Sequence, residues 1–193
     1  MVKSKNLFQK VKKITLENSN NIWKNSPFEF LRTTLTSDER GKWGENLTYE
    51  LIKGLTDYEV IWDGDKNIKR KDGSIYDILV NNKRLEVKTA TKGSSNDVWQ
   101  HDNIYEENVW DVILFIDVNL FGIHFTIMSH SDIPFGLDKH KLINKKSTRH
   151  LSGWKFDLSI NQIKILEKNS ISFYYDYNNP DENEFKKFLT KLS

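Results

Sequence analysis

The chain has 193 residues, enough for one domain with a substantial core, and its 37% hydrophobic and 29% charged residues are typical of a folded protein rather than a disordered one. The absence of cysteine excludes disulfides and thiolate zinc sites, and a formal net charge of only +2 excludes a protein that is basic throughout. The apolar runs are too short to span a membrane and the basic N-terminus lacks the apolar stretch of a secretory signal, so we expect a cytoplasmic protein with no membrane partner.

The first part of the chain is predicted to be mainly helical. Residues 5–35 have a helical pattern, which an asparagine-rich stretch and the Ser26-Pro27 step divide into two helices. The sequence TSDE at 36–39 has the spacing of a capping box and predicts a helix that begins there. The apolar arc of this helix consists of Trp43, Leu47, Leu51, Ile52 and Leu55. Glu45 lies at the edge of that arc, so we expect its carboxylate where the helix meets the body of the protein.

Five strands follow, each an apolar or alternating run bounded by turn residues. They are predicted at 58–62, 74–80, 83–90, 110–118 and 122–129, with a short helix at 97–106 in the loop before the fourth strand and further helices at 158–169 and 181–192. Helices before and after a run of strands are typical of an α/β domain with a central mixed β-sheet of about five strands. We divide this single domain, 1–193, into a helical extension (1–36), a core (37–130) and a C-terminal region of loop and helices (131–193).

Charged residues interrupt the second and third predicted strands, which are otherwise apolar. Asn81-Asn82 between them suits a two-residue hairpin, because asparagine tolerates the left-handed backbone of such turns. The predicted pairs are Val80 with Lys83, Leu79 with Arg84, Ile78 with Leu85 and, one step further, Asp77 with Glu86. Since side chains alternate along a strand, Lys88 would share a face with Glu86.

Two carboxylates that face each other across a strand pair repel and destabilise the sheet. A divalent cation between them would compensate, and oxygen ligands without cysteine or paired histidine favour Mg²⁺ over zinc. A lysine beside such an ion suits the hydrolysis of a phosphodiester. The alternative is that Asp77, Glu86 and Lys88 are ordinary outward-facing residues of an antiparallel pair.

These residues resemble the PD-(D/E)XK nuclease superfamily, the fold of most type II restriction endonucleases. That family carries an acidic residue on its first helix, an aspartate on the second strand and E-x-K on the third. Glu45, Asp77 and residues 86–88 match this pattern in the same order, within the stretch 37–90. Tyr76 stands where the family often has a proline. The resemblance implies a restriction-endonuclease-like core.

The resemblance also implies roles for these residues. Asp77, Glu86 and the backbone carbonyl of Val87 would bind Mg²⁺, for which Mn²⁺ would substitute. Lys88 would orient the attacking water or stabilise the developing charge. Glu45 would lie outside the ligands of that ion or bind a second one.

A double-stranded DNA partner would need further contacts. Candidates are hydroxyl, amide and basic side chains after the third strand and in a later loop: Thr89, Thr91, Lys92, Ser94, Ser95, Asn96, Gln100, His101, Lys145, Lys146, Ser147, Thr148, Arg149 and His150. The basic segments 3–13 and 140–150 could follow a phosphate backbone. Ordinary solvated side chains are the alternative for both segments, and a buried polar anchor is the alternative for His101.

The leading hypothesis is therefore a Mg²⁺-dependent, sequence-specific DNA endonuclease of the type II restriction kind. Such an enzyme would act as a homodimer, because two strands require two active sites and one chain has room for one. A Holliday-junction resolvase or repair nicking enzyme would share the chemistry. A catalytically inactive DNA-binding module is the alternative from another class.

Overall fold

The fold is described by a computed structural model that covers residues 22–62, 76–93, 97–133, 135, 143–145 (backbone only) and 153–192. Its helices are α1 (Glu29–Thr33), α2 (Ser37–Leu55), α3 (Ile160–Lys168) and α4 (Glu182–Leu189), with short 3₁₀ turns at His130–Asp132 and Thr190–Leu192. Its strands are β1 (Val60–Trp62), β2 (Ile78–Val80), β3 (Lys83–Thr91), β4 (Val98–Ile104), β5 (Val112–Val118), β6 (Gly122–Ser129), β7 (Ile143–Lys145), β8 (Trp154–Ser159) and β9 (Ser172–Asp176). Among the described helices, none has the length and apolar character needed to cross a membrane.

The central sheet is mixed, as predicted, but it has six strands rather than about five, in the order β1-β2-β3-β5-β6-β9. Among the described strands of this sheet, only β3 and β5 pair in parallel. The additional strand, β9, pairs with β6 at the edge of the sheet. The strand has the sequence SFYYD, and its aromatic residues are typical of β-structure. The predicted helices on either side of it are confirmed as α3 and α4.

A second sheet, in the order β4-β8-β7, corrects the predicted helix at 97–106. That segment forms β4, which pairs antiparallel with β8 from Val98↔Ser159 to Ile104↔Trp154. The alternation along β4 is broken between His101 and Ile104, where the register shifts and Asn103 has a φ of 60°. Because a bulge adds a residue to the strand, the buried positions no longer keep a period of two.

The hairpin prediction is confirmed as far as the ladder extends. Ile78, Leu79 and Val80 pair with Leu85, Arg84 and Lys83. Asn81 and Asn82 have φ values of 45° and 67°, the left-handed backbone that a two-residue turn requires. The ladder ends at Ile78, so Asp77 does not form the predicted pair with Glu86, and its N–H donates instead to the carbonyl of Leu85 at 3.0 Å.

Two apolar clusters lie on opposite faces of the central sheet. The first contains Leu85, Val87, Leu114 and Phe125 under helices α2 and α4, and the second contains Phe115, Trp99, Phe156 and Ile163 under the second sheet and α3. Because Glu86 and Lys88 alternate with Leu85 and Val87, they project from the face that carries the second sheet. The sheet is thus covered on both faces around β3.

Helix α2 begins as predicted. Thr36 and Glu39 form the capping box, with each side chain bonded to the other residue's backbone N–H. The most buried positions of the helix are Gly44, Thr48, Tyr49 and Ile52, whereas Trp43, Leu47, Leu51 and Leu55 of the predicted arc are only partly buried. The buried face is therefore rotated towards Glu45, which is half-buried. Of the predicted N-terminal helices, the part before residue 22 lies outside the described residues.

Candidate active site

The predicted site residues lie close together on the side of β3 that faces β2, just beyond the start of β2. An oxygen of the Asp77 carboxylate accepts a hydrogen bond from the N–H of Val87 at 2.7 Å. Since the N–H and C=O of one strand residue point to the same side, the Val87 carbonyl faces the same edge as Asp77. The Lys88 ammonium lies 2.5 Å from Oε1 of Glu86. Asp77, Val87, Glu86 and Lys88 are thus brought together, although Asp77 reaches this position from just outside the ladder.

Glu86 is a buried carboxylate, with 4% of its surface exposed. Burial raises its pKa from the ordinary 4.5 to about 7, and Asp77 and Glu45 add to this effect while Lys88 opposes it. One of its oxygens, Oε2, is buried and has no hydrogen-bond partner among the described residues. A buried acceptor without a donor is costly, so a hydrogen-bond donor or a cation at this position would stabilise the protein.

Glu45 joins the same cluster from helix α2. The pKa of its carboxyl group is raised, first by burial and then by the charge of Asp77. The indole N–H of Trp62 donates to its Oε2 at 3.2 Å and fixes the side chain from the β1 side. Three acidic groups therefore share one environment, and two of them have raised pKa values because their charges are close and partly removed from water.

Glycine is what lets α2 approach this closely. A Cβ added at Gly44 would overlap the hydroxyl oxygen of Thr89 on β3. The helix backbone thus rests directly on the strand that carries Glu86 and Lys88. This contact places Glu45, the next residue, at the carboxylate cluster.

The donor set suits a hard divalent cation. Within the described residues no three His, Cys, Asp or Glu side chains are grouped closely enough to hold a metal ion by themselves. Mg²⁺ needs fewer, because it keeps several waters and binds through one or two carboxylates. The Oε2 atom of Glu86, the Asp77 carboxylate and the Val87 carbonyl supply such a set. The residues present fit Mg²⁺.

A cleft of about 500 Å³ opens over this cluster. Its walls are formed by α1, α2, β3 and β4: Arg32, Ser37, Arg40, Gly41, Glu45, Asp77, Val87, Lys88, Thr89, Ala90, Thr91, Gly93, Val98, Gln100, His101 and Asp102. Thr89, Thr91, Gln100 and His101, which the sequence suggested as DNA contacts, therefore lie in the same cleft. Gln100 is exposed there.

The other suggested contacts are placed differently or not described. Lys92 forms an ion pair with Asp97 at 2.5 Å. His101 is 2% exposed and bonded through Nε2 to the fully buried Asp117 at 2.7 Å, which favours the alternative of a buried polar anchor. Ser94, Ser95, Asn96, Lys146, Ser147, Thr148, Arg149 and His150 lie outside the described residues, and Lys145 is described by its backbone alone.

Sequence reasoning missed three charged residues near the site. Arg32 and Arg40 line the cleft, and Asp117 is the buried partner of His101. The strand pattern of β5 contained a signal for Asp117, because an aspartate within an apolar run is rarely buried without a partner. The arginines carried no local signal, since their approach depends on how α1 packs against α2.

No family model and no curated protein matches this chain. Among solved structures, it is similar to the bacterial homing endonuclease I-Ssp6803I, with 12% sequence identity and a TM-score of 0.37 over 64% of this chain and 75% of that one. A TM-score this low does not establish a common fold. The chemistry has to be inferred from the cleft alone.

Proposed function

We propose that this protein is a Mg²⁺-dependent DNA endonuclease of the PD-(D/E)XK kind. The observation that carries the proposal is the convergence of Asp77, Glu86, Lys88 and Glu45 beside β3. Asp77, Lys88 and Glu45 line the cleft, and the buried Glu86 lies behind Lys88. Three acids with a lysine among them have little structural purpose, because the carboxylates repel one another and Glu86 is buried at an energetic cost.

Some of these residues would bind the metal ion, and others would position the water and stabilise charge. Asp77, Glu86 and the Val87 carbonyl would hold Mg²⁺, and Mn²⁺ would substitute. When bound, the ion would polarise the phosphate and lower the pKa of a bound water. Lys88, held at Glu86, would orient the attacking water and stabilise charge on the phosphate oxygens. Glu45 would lie beside these ligands and accept a proton or support a second ion.

The proposed substrate is double-stranded DNA cut at a specific sequence, as in a type II restriction enzyme. Cleavage of two DNA strands requires two active sites, so the working form would be a homodimer. We place this enzyme in the cytoplasm. Thr91 and Gln100 line the cleft and offer a hydroxyl and an amide group to the strand, whereas the Thr89 hydroxyl is buried against Gly44 and is not available to it. A resolvase or nicking enzyme would use the same cluster on branched or damaged DNA.

The test is cleavage of plasmid and unmethylated phage DNA by the full chain, with and without Mg²⁺. We expect Mg²⁺-dependent products from the wild type and from Lys83→Ala, which removes an exposed lysine at the far end of the same strand. Lys88→Ala should lose about 10²-fold or more of the rate, as when a charge-stabilising donor is removed. Discrete fragments identify a site-specific enzyme, and cleavage restricted to branched DNA identifies a resolvase. Full activity of Lys88→Ala would refute the assignment.

A DNA-binding module without catalysis is the second candidate. It is favoured by the direct Glu86–Lys88 ion pair, because an ammonium group that neutralises Glu86 competes with a metal for the same carboxylate. Isothermal titration with Mn²⁺ separates the two, with Asp77→Asn as the control variant. Binding that Asp77→Asn abolishes supports the enzyme, and no binding by the wild type supports the module.

A further inference from the structure

Two arginines lie in the cleft but take no part in the carboxylate cluster. Arg32 is exposed on α1, and Arg40 is half-buried on the first turns of α2. Both line the same cleft as Asp77 and Lys88. The cleft therefore has an acidic part at the edge of β3 and a cationic part beside α1.

Arg40 is held in place by the backbone between the two helices. Its Nη1 donates to the carbonyls of Leu31 at 3.2 Å and of Leu35 at 2.9 Å. These bonds use one nitrogen of the planar guanidinium group and leave the others for a further acceptor. In the described part of the chain neither Arg32 nor Arg40 forms an ion pair with a carboxylate.

Arg32 is close enough to Arg40 for its charge to disfavour the charged form of Arg40. The pKa of Arg40 is lowered, first by partial burial and then by the charge of Arg32. Glu39, the neighbouring acid, forms no ion pair with either arginine in the described part of the chain. Its carboxylate accepts hydrogen bonds from the N–H and hydroxyl of Thr36 at 2.8 Å. That capping box also satisfies donors at the start of α2, so the helix terminus is not the anion-binding group.

We propose that Arg32 and Arg40 together bind a backbone phosphate of the nucleic acid strand whose scissile phosphodiester lies at Lys88. The proposal rests on the proposed function and adds a second phosphate site to it. Planar guanidinium groups match phosphate oxygens, and an anion between them removes their mutual repulsion. A strand with repeating phosphates can occupy both parts of the cleft at once, which a single small anion cannot do. The arginine site supplies affinity that requires no metal, whereas the carboxylates repel the strand until a cation is bound.

The experiment measures the salt dependence of DNA binding by the full-length chain in EDTA. A fluorescein-labelled DNA duplex is titrated by anisotropy over a series of NaCl concentrations. Arg32→Gln should weaken binding and make the slope of log K against log[salt] shallower by about 0.9, the value for one lost phosphate contact. Arg32→Lys should keep the slope, because it keeps the charge. Lys164→Gln removes an exposed cation on α3 outside the cleft and should match the wild type.

The outcomes separate this inference from the proposed function. If the wild type cleaves DNA but Arg32→Gln has the affinity and slope of Lys164→Gln, the arginine site is refuted and the nuclease stands. If the salt dependence of Arg32→Gln is shallower by the expected amount while the wild type cleaves no DNA, the phosphate site is supported and the nuclease proposal is refuted. If the wild type binds no DNA in EDTA at low salt, the arginine site is refuted, because its affinity is independent of metal.

Discussion

Gly44 on α2 and Thr89 on β3 lie in direct contact, so that no side chain fits between the helix and the strand. This contact positions Glu45 beside the carboxylates of Asp77 and Glu86. Gly44→Ala should push the helix away and destabilise the protein by about 1–3 kcal/mol, the usual cost of overpacking. It should also reduce Mn²⁺ binding, because Glu45 moves with the helix. Urea unfolding and metal titration measure the two effects.

Gly54 provides the matched control on the same helix. A Cβ added there meets no atom of the described residues within 4 Å. Gly54→Ala should therefore stabilise the protein by about 0.5–1 kcal/mol through helix propensity alone. Equal effects of the two substitutions would contradict the close approach of α2 to β3.

The stability of the metal-free protein should fall as pH rises through the titration of Glu86. Its pKa in the folded protein is about 7, against an ordinary value of 4.5, so the folded state binds more protons between these values. The contribution is present in full below about 4.5 and lost above about 7, a change of up to about 3 kcal/mol. The pKa of Asp111 is lowered, so its titration changes the stability only at pH values near or below its ordinary pKa of 3.8, outside this window.

Urea unfolding at the two ends of this pH window measures the change. Glu86→Gln should make the profile shallower, because the neutral amide does not titrate, and the raised pKa of Glu45 leaves a smaller fall in the same direction. Glu50→Gln removes an exposed carboxylate on the same protein and should leave the profile unchanged. A wild-type profile that rises with pH in EDTA would contradict the assigned direction.

His101 and Asp117 should contribute to stability as a pair. Both are buried, and His101 Nε2 bonds to Asp117 Oδ1. Within the described residues, His101 Nδ1 and Asp117 Oδ2 have no hydrogen-bond partner. Removing one member leaves a buried polar group unpaired, so His101→Leu and Asp117→Leu should each cost about 3–5 kcal/mol. The double variant should cost less than the sum by about 0.5–3 kcal/mol. Additive losses in urea unfolding would show that the two side chains do not interact.

The turn at Asn82 should tolerate glycine and reject β-branched residues. Its φ of 67° costs about 1–2 kcal/mol for an ordinary side chain, whereas glycine adopts it freely. Asn82→Val should therefore lower the free energy of unfolding by about that amount, and Asn82→Gly should not. Equal stability of the two variants would mean that the turn is not left-handed. Thermal unfolding followed by circular dichroism measures the difference.

Local sequence was sufficient where the structure depends on neighbouring residues. The capping box at Thr36 and Glu39 and the turn at Asn81-Asn82 are made by residues a few positions apart, and both were predicted with the observed register. The alternation of Leu85, Glu86, Val87 and Lys88 likewise determined which side chains share a face of β3. These residues of the candidate site could be predicted because Asp77 and Glu86 flank a single hairpin.

The features that the sequence did not predict depend on contacts between segments far apart in the chain. Strand β4 owes its conformation to β8, and Val98 pairs with Ser159 far along the chain. Asn103 adds a bulge that hides the strand alternation. The approach of Arg32 to Arg40 depends on the backbone carbonyls of Leu31 and Leu35, which no pattern of side chains encodes.

The short connection between Asp77 and Glu86 has a consequence for the order of folding. A hairpin with a two-residue turn closes within about 1–10 μs, long before pairings between distant segments are complete. The two acids can thus come together as soon as their own segment folds, while Glu45 arrives only when its helix docks. The nascent chain would then carry part of the proposed ion-binding site early, and the complete cluster of acids would form in a later, separate step.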